Sequence, residues 1–537
     1  AQYRTPYGIF TLLNAKIYTL AEDHPTASAM VIDHGKILTL GDETHCLEFG
    51  GNCPPEDLGG SVVIPGLTDA HIHLEHYALS LQKIDCEVPD REECLFRVAQ
   101  LAEQIPPGQW VLGHGWNQNL WPEGFGTSTD LDAVAPENPV YLTAKSLHAG
   151  WANSAALQAA GINHNTPDPA DGQIQRDNQG LPTGILFEGA MRLVSEAVPQ
   201  PSVSDLTVAL KQAQENLWRM GITGVHDFDR RDCFTALQLL HAAGDLRLRI
   251  LKSLPIDDLE HAVALGLRTG FGDDWLQIGS LKAFADGALG PHTAAMLASY
   301  ENEPDNKGML LIDREEMFER GRKAVANGLS LAIHAIGDRA NHEILNAFEQ
   351  LRAFEATLPT AGQQPLRHRI EHVQLIHPED APRLAQGNII ASMQPIHATS
   401  DMLMADAYWG ERAANSYAWR TQLQHGAKLV FGSDAPVESP NPFWGLHAAV
   451  TRQRIDGNPG PDGWYPEQRL NIHEALLAFT QGPAYAAGME DHLGKLAPGY
   501  FADLLVLEDD PFTCEPSTLR NIVPSAVMVG GEWVLNR

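Results

Sequence analysis

The run VVIPGLTDAHIHL, Val62–Leu74, decides how the rest of the chain is read. It opens with β-branched residues, bends at Pro65-Gly66 and resumes as an apolar strand ending in His71-Ile72-His73. Alternation along a strand puts both imidazoles on one side, about 7 Å apart along the backbone and within reach of one ion. Short apolar runs of the same kind recur downstream: GITGVHDF (221–228), LRILKSLP (248–255), LQIGSLKAFADG (276–287), LSLAIHAIGD (329–338), RHRIEHVQL (367–375), IIASMQP (389–395) and AKLVFGSDAP (427–436). Amphipathic stretches such as VSDLTVALKQAQENLWRMG (203–221) and REEMFERGRKAVANG (314–328) separate several of them. Eight strands alternating with helices is the count for a closed (β/α)8 barrel of the TIM type, an α/β fold.

Two features sit outside that alternation. Roughly 145 residues separate the first and second runs, where connections in such folds are normally short. This interval has its own helical stretch, REECLFRVAQLAEQI (91–105), and an aromatic run, GWNQNLWPEGFG (115–126). An inserted subdomain at about 86–215, after the first strand and at the top of the barrel, is therefore expected. The two ends of the chain resemble each other. FTLLNAKIYTL (10–20), SAMVIDHGKILTLGD (28–42), FADLLVLEDDP (501–511) and SAVMVGGEWVLNR (525–537) are short β runs, with hairpin connections expected at Asp33-His34-Gly35-Lys36 and Gly530-Gly531. Neither end has enough strands to bury a face alone. The reading is one composite β-sandwich from 1–64 and 485–537, around a barrel of 65–484.

Composition narrows the function. The 37 Lys and Arg against 68 Asp and Glu leave a net charge of −31, a field that repels phosphate backbones and anionic lipid. Nucleic acid and membrane surfaces are thus excluded as partners; a small molecule is expected, and a homo-oligomer stays open. No uninterrupted apolar stretch approaches the length of a membrane span. The opening AQYRTPYGIF has no basic start followed by an apolar run, so a cytoplasmic location is expected, although a leader already removed would leave no trace. The six cysteines, Cys46, Cys53, Cys86, Cys94, Cys233 and Cys514, form no CxxC pair and read as unpaired thiols. Histidine is the unusual residue, at 23.

In a barrel of this kind catalytic groups stand at the C-terminal ends of the strands. After His71 and His73 on the first strand come Lys282 on the fourth, His334 on the fifth, His372 on the sixth and Asp434 after the eighth. Each alone has a structural reading: a hydrogen-bonded histidine, a buried salt-bridge lysine, an aspartate capping the next helix. Together they would be several costly polar groups converging in one barrel mouth, and a bound metal explains all of them at once.

Taken together, VVIPGLTDAHIHL, GWNQNLWPEG, TDLDAVAPENPVYL, HAGWANSAALQAAGI, LPTGILFEGA, GITGVHDF, KAFADGALG, AIHAIGD, RIEHVQL, SMQPIHA, FGSDAPVESPNP and GKLAPGYFADLLVL resemble the amidohydrolase superfamily. Within it, the resemblance is to the YtcJ-like branch that includes N-substituted formamide deformylases, and it covers essentially the whole chain. It implies a distorted barrel with a composite sandwich. It also implies a metal site of His71, His73, His334, His372 and Asp434, with Lys282 carboxylated. An ammonium has no lone pair to give, whereas a carbamate offers two oxygens that can bridge two cations. Glu188 is a further carboxylate that the branch keeps near the site, either as a ligand or as a group behind one. Nitrogen and oxygen donors suit zinc, although iron, manganese, cobalt or nickel would also fit; Lys282 favours two ions.

The chemistry that follows is hydrolysis of a C–N, amide-type bond by metal-activated water, with Asp434 as base and then acid. An ester or lactone hydrolase, or a deaminase, would use the same site, and a non-catalytic scaffold is the reading from another class. His226 and His397 are expected to hold the oxyanion or the substrate. Trp116, His148, His292, Gln394 and Arg420 are the expected substrate-binding residues, with Trp121 and Phe125 joining Trp116 in an apolar lid wall and Arg420 meeting a substrate carboxylate. The chain departs from the branch at Ala144-Lys145-Ser146-Leu147, at Trp116-Asn117 and at Pro291-His292, in loops rather than among the ligands.

Overall fold

The computed structural model describes residues 8–50, 54–359 and 364–536. Its centre is an eight-stranded sheet whose strands follow one another around the ring in chain order. They are β1 (Leu67–Ile72), β2 (Ile222–Asp227), β3 (Arg249–Pro255), β4 (Leu276–Phe284), β5 (Leu331–Ala335), β6 (Arg369–His372), β7 (Ile390–Met393) and β8 (Leu429–Phe431). Every neighbouring pair is parallel, with register shifts between β1 and β2 and between β3 and β4 that distort the ring. These strands are buried on both faces, which is why they read as continuous apolar runs rather than as an alternation.

The ring closes where β8 returns to β1. Ile72 bridges Ala435 in parallel, and the Asp434 amide donates to the His71 carbonyl at 2.7 Å. Asp69 clamps the seam: its Oδ1 accepts from the amides of His71 (3.1 Å) and Ser433 (3.0 Å), and its Oδ2 accepts from the Ser433 hydroxyl (2.5 Å). Gly432 makes the approach feasible, since a Cβ there would lie 2.4 Å from the His71 amide nitrogen.

Both ends of the chain build the sandwich. One sheet orders Lys36–Gly41, Ala29–Asp33, Phe10–Leu13 and Glu56–Asp57. The other orders Glu532–Leu535, Pro524–Val529, Leu504–Leu507, Val62–Pro65, Lys16–Tyr18 and Thr26–Ala27, so a C-terminal strand pairs directly with an N-terminal one. Leu12, Ile17, Met30, Ile32, Val63, Leu504, Val506 and Met528 fill the space between the sheets. The two expected hairpins are present with left-handed turns at His34-Gly35 (φ 47° and 81°) and Gly530-Gly531 (φ 58° and 78°). The turns interlock: a Cβ on Gly35 would meet the Gly530 carbonyl oxygen at 2.6 Å.

Residues 78–209 form a compact unit of their own. It holds a six-stranded sheet ordered Gly172–Arg176, Pro182–Glu188, Ala149–Ala152, Val140–Ala144, Val111–Trp116 and Ile84–Asp85. Its core centres on Trp116, Trp121 and Trp151. Cys46, Cys86, Cys94, Cys233 and Cys514 are free thiols, and Cys53 lies outside the described residues. Among the described residues no helix is long and apolar enough to cross a membrane.

Candidate metal centre

The C-terminal ends of the strands open on a cavity of about 360 Å³ that His71, His73, Lys282, His334, His372, His397 and Asp434 all line. Four imidazoles present themselves there in the same way, each with one ring nitrogen engaged from behind. His71 Nδ1 meets Glu371 Oε2 at 2.7 Å. His73 Nδ1 meets Asp229 Oδ1 at 3.0 Å. His372 Nδ1 bonds Gln394 Oε1 at 2.7 Å, and His334 Nε2 bonds the Gly287 carbonyl at 2.8 Å. These partners fix each ring and its tautomer and leave the second nitrogen to the cavity, which is how a metal-binding histidine is normally held.

The free ends converge on Asp434. Its Oδ1 lies 3.3 Å from both His71 Nε2 and His73 Nε2, and its Oδ2 lies 3.2 Å from His397 Nε2. His71 Nε2 is buried with no hydrogen-bond partner. One donor atom each from His71, His372 and Asp434 lies within 4.8 Å of the others. The ring centroids of His71 and His372 are 4.9 Å apart, and those of His334 and His372 are 4.6 Å apart. Lys282 Nζ is likewise buried without a hydrogen-bond partner, over the rings of Phe228 (4.5 Å) and Phe284 (4.9 Å). Leaving such groups unsatisfied in a protein interior is expensive, and the donor set fits a divalent cation bound among them.

Charge and backbone conformation support the same centre. Burial drives the His71 and His372 imidazoles below their ordinary range, which keeps them neutral and able to donate a lone pair. Burial also pushes the Lys282 ammonium down to about 8. For His397 burial opposes the charge, but bonds to Asp434 and Glu438 outweigh it and raise the imidazole to about 10. Burial works against the Asp434 carboxylate too, yet His397, His71 and His73 together hold it well below the usual range. His372, Val373 and Asp434 adopt positive φ of 82°, 46° and 59°, strained values for residues other than glycine that cluster where side chains must be aimed against the local repeat. At His372 the effect is direct: Glu371 and His372 are neighbours on β6, and both reach His71.

Behind the imidazoles runs a buried polar chain that sequence reasoning missed. Arg369 Nε bonds Glu371 Oε1 at 2.6 Å, its Nη2 donates to the Ala70 carbonyl (2.7 Å) and Ser392 Oγ (2.9 Å), and its Nη1 meets His226 Nδ1 at 2.8 Å. Asp229 also escaped notice; it binds His73 and, at 2.9 Å, the exposed His76. For Glu371 the signal was present in Arg-Ile-Glu-His, because alternation sends Arg369 and Glu371 to one face of β6.

Several expected substrate-binding residues are placed elsewhere. His226 is 3% exposed and held by Arg369 beneath the cavity rather than lining it, so it has no approach to an oxyanion. Gln394 supports His372 through Oε1, while its Nε2 is buried without a hydrogen-bond partner. Arg420 is committed to Glu474 (Nη2–Oε2 2.6 Å) and the Arg469 carbonyl, leaving nothing for a substrate carboxylate. His292 is bound by Glu303 at 2.5 Å and stacked on Tyr300. Trp116 is 1% exposed, with its indole N–H on the Leu142 carbonyl, and Trp121 packs with it; both are core residues of the inserted unit rather than a lid wall, with the half-buried Phe125 against Trp116. His148 and Glu188 belong to that unit and pair with each other at 2.9 Å on its surface.

The chain has relatives along nearly its whole length. The sequence model described as "Amidohydrolase family" matches residues 56–535. The YtcJ protein of Bacillus subtilis is 33% identical over 545 residues, covering 97% of this chain and 98% of that one. An N-substituted formamide deformylase of Arthrobacter pascens is 29% identical over 549 residues, 97% of each chain. Among solved structures, an uncharacterized metal-dependent hydrolase of Pyrococcus horikoshii superposes with a TM-score of 0.78 at 28% identity, over 95% of this chain and 99% of that one. A centre of four imidazoles, an aspartate and a buried lysine at the mouth of such a barrel, with relatedness along nearly the whole length, shows that this chain belongs to the amidohydrolase family and is a hydrolase.

Proposed function

We propose that the protein hydrolyses a C–N bond of amide type in a small organic substrate, with zinc at the centre. The observation that carries the reading is the shared posture of His71, His73, His334 and His372, each engaged from behind and open towards the cavity of Asp434 and Lys282. These imidazoles and Asp434 would hold the metal, and nitrogen and oxygen donors suit zinc among the common divalent ions. When bound, the ion would polarise an amide carbonyl and lower the pKa of water towards neutrality.

Lys282 is the proposed bridge to a second ion. Its amine, held at about 8 by burial, would add to carbon dioxide, form an N–C bond and release one proton, giving a carbamate. Asp434 takes the proton of the attacking water and returns it to the leaving nitrogen, and His397 at 3.2 Å holds the carboxylate ionised and oriented for that transfer.

The test is Asp434→Asn in zinc-loaded protein. It keeps the shape and one oxygen donor, so near-parental metal content is expected with kcat on an amide reduced by roughly 10²–10⁴. Turnover within a few-fold of the parent would remove Asp434 from this role. Hydrolysis of esters or amino-heterocycles with no activity on amides would overturn the assigned bond.

A further inference from the structure

Once the metal centre is set aside, what the cavity leaves open is largely apolar. Its two further carboxylates are already engaged. Glu438, in the turn after β8, meets His397 Nδ1 at 3.3 Å, and Asp401 Oδ2, on the helix Pro395–Trp409 that follows β7, accepts from the Tyr417 hydroxyl at 2.7 Å. Among the described residues, Lys282 is the one Lys or Arg lining the cavity, and it belongs to the metal centre. A charged substituent of either sign would therefore give up its hydration with no uncommitted counter-charge to receive it.

The rest of the wall comes from the connections at four strand ends. Phe284 closes β4, two residues after Lys282 and so on the same face of the strand, and its ring centroid stands 5.1 Å from that of His334. Leu289 follows in the loop after β4, Ile336 directly after β5, Met404 on the helix after β7 and Val437 after β8, and all five side chains line the cavity. Phe284 is 46% exposed and Val437 68%. A single exposed apolar side chain needs no explanation, but these share one cavity with the metal centre. In a ring of eight, β4 and β8 lie opposite, so Phe284 and Val437 stand on opposite sides of the mouth, with Met404 as an adaptable filler beside Val437. We infer that the substrate carries an uncharged apolar substituent of several carbons, alkyl or aryl, which packs between Phe284 and Val437 while the scissile bond lies at the metal centre. This inference rests on the amide-hydrolase reading above.

The test uses zinc-loaded enzyme and two amide series, one lengthening the amine side from N-methylformamide to N-pentylformamide and one lengthening the acyl side from N-methylacetamide to N-methylhexanamide. In at least one series kcat/KM should rise by about fourfold for each methylene buried. N-formyl-1,5-diaminopentane and N-formyl-5-aminopentanoate carry a chain of the same length with a charged tip, and both should lose the gain made by N-pentylformamide if the amine series is the one that rises; 6-amino-N-methylhexanamide and N-methyladipamate play that part for the acyl series. In Phe284→Ser and Val437→Ser the dependence on chain length should flatten. No rise in either series, or a charged tip that costs nothing, would overturn the inference and leave the amide-hydrolase reading standing. If no amide is cleaved while esters or amino-heterocycles are, the amide reading fails, and calorimetric binding of hexanamide against acetamide then decides the inference. The longer chain should bind tighter by the same factor per methylene, and equal affinities overturn it.

Discussion

Glu371→Gln probes how far the centre depends on what stands behind its ligands. Glu371 is fully buried; its Oε1 lies 2.6 Å from Arg369 Nε and its Oε2 lies 2.7 Å from His71 Nδ1. Burial opposes its charge, but Arg369 and His71 hold the carboxyl well below the usual range. Glutamine keeps the shape with one oxygen, so it can serve Arg369 or His71 but not both, and its NH2 then faces a donor. Breaking a buried ion pair costs about 3–5 kcal/mol. The lower end applies here, because the guanidinium keeps Ala70, Ser392 and His226 as acceptors. Separately, His71 loses the acceptor that fixes its tautomer and raises its basicity, a change that weakens metal binding by about 10–100-fold. Competition against a chromophoric zinc chelator reads the second effect, and urea unfolding reads the first. The double variant Arg369→Gln/Glu371→Gln should recover part of the stability, since no buried charge is then left unpaired, but none of the metal affinity. Zinc affinity within twofold of the parent in a folded Glu371→Gln protein would refute the argument.

Other outcomes follow from the same structure. Lys282→Ala should lose activity and one equivalent of metal, and short carboxylic acids should restore part of both; full activity without added acid would show that nothing bridges through this side chain. Gly432→Ala places a Cβ 2.4 Å from the His71 amide nitrogen at the seam between β8 and β1, so a loss of about 1–3 kcal/mol together with weaker metal binding is expected, checked by denaturation and metal titration. His447 is driven by burial, and then by the charge of Arg520, from 6.5 down to about 4. A depressed histidine binds fewer protons folded than unfolded, so it makes stability fall as pH drops from 6.5 towards 4. In His447→Gln the slope of melting temperature against pH across that window should flatten, and an unchanged slope would place the titration elsewhere.

The barrel and the positions of His71, His73, Lys282, His334, His372 and Asp434 were legible because each follows a continuous apolar strand, and buried parallel strands announce themselves by composition. The groups that aim these side chains were harder to see. Glu371 and His372 are adjacent, and a strict strand repeat sends them to opposite faces; the positive φ at His372 that reconciles them has no mark in the residue types. Asp401 sits on a helix face whose outlook depends on how the helix packs. Arg420 and Gln394 looked available for substrate because their partners, Glu474 and His372, are 54 and 22 residues away in the chain. Trp116 was misjudged for a related reason: an aromatic run in a glycine-rich loop reads alike whether it walls a pocket or fills a core.

The pairing of Leu504–Leu507 with Val62–Pro65 sets a schedule for making the molecule. The register Leu505–Ile64 joins residues about 440 positions apart, so at about 5–20 residues per second the N-terminal strand waits roughly 20–90 s on the ribosome for its neighbour. Through that interval Val62–Pro65 offers an open apolar edge, the kind that pairs with other chains. The same late segment brings Asp503, whose carbonyl accepts from the Gly66 amide at 2.9 Å and whose carboxylate clamps Arg249 at the foot of β3. β1 begins at Leu67, so the strand bearing His71, already paired with β2 and clamped to β8, gains this further anchor at its start only once Asp503 has emerged. A metal ion offered during synthesis would thus meet a centre whose first strand still lacks the contact at its foot.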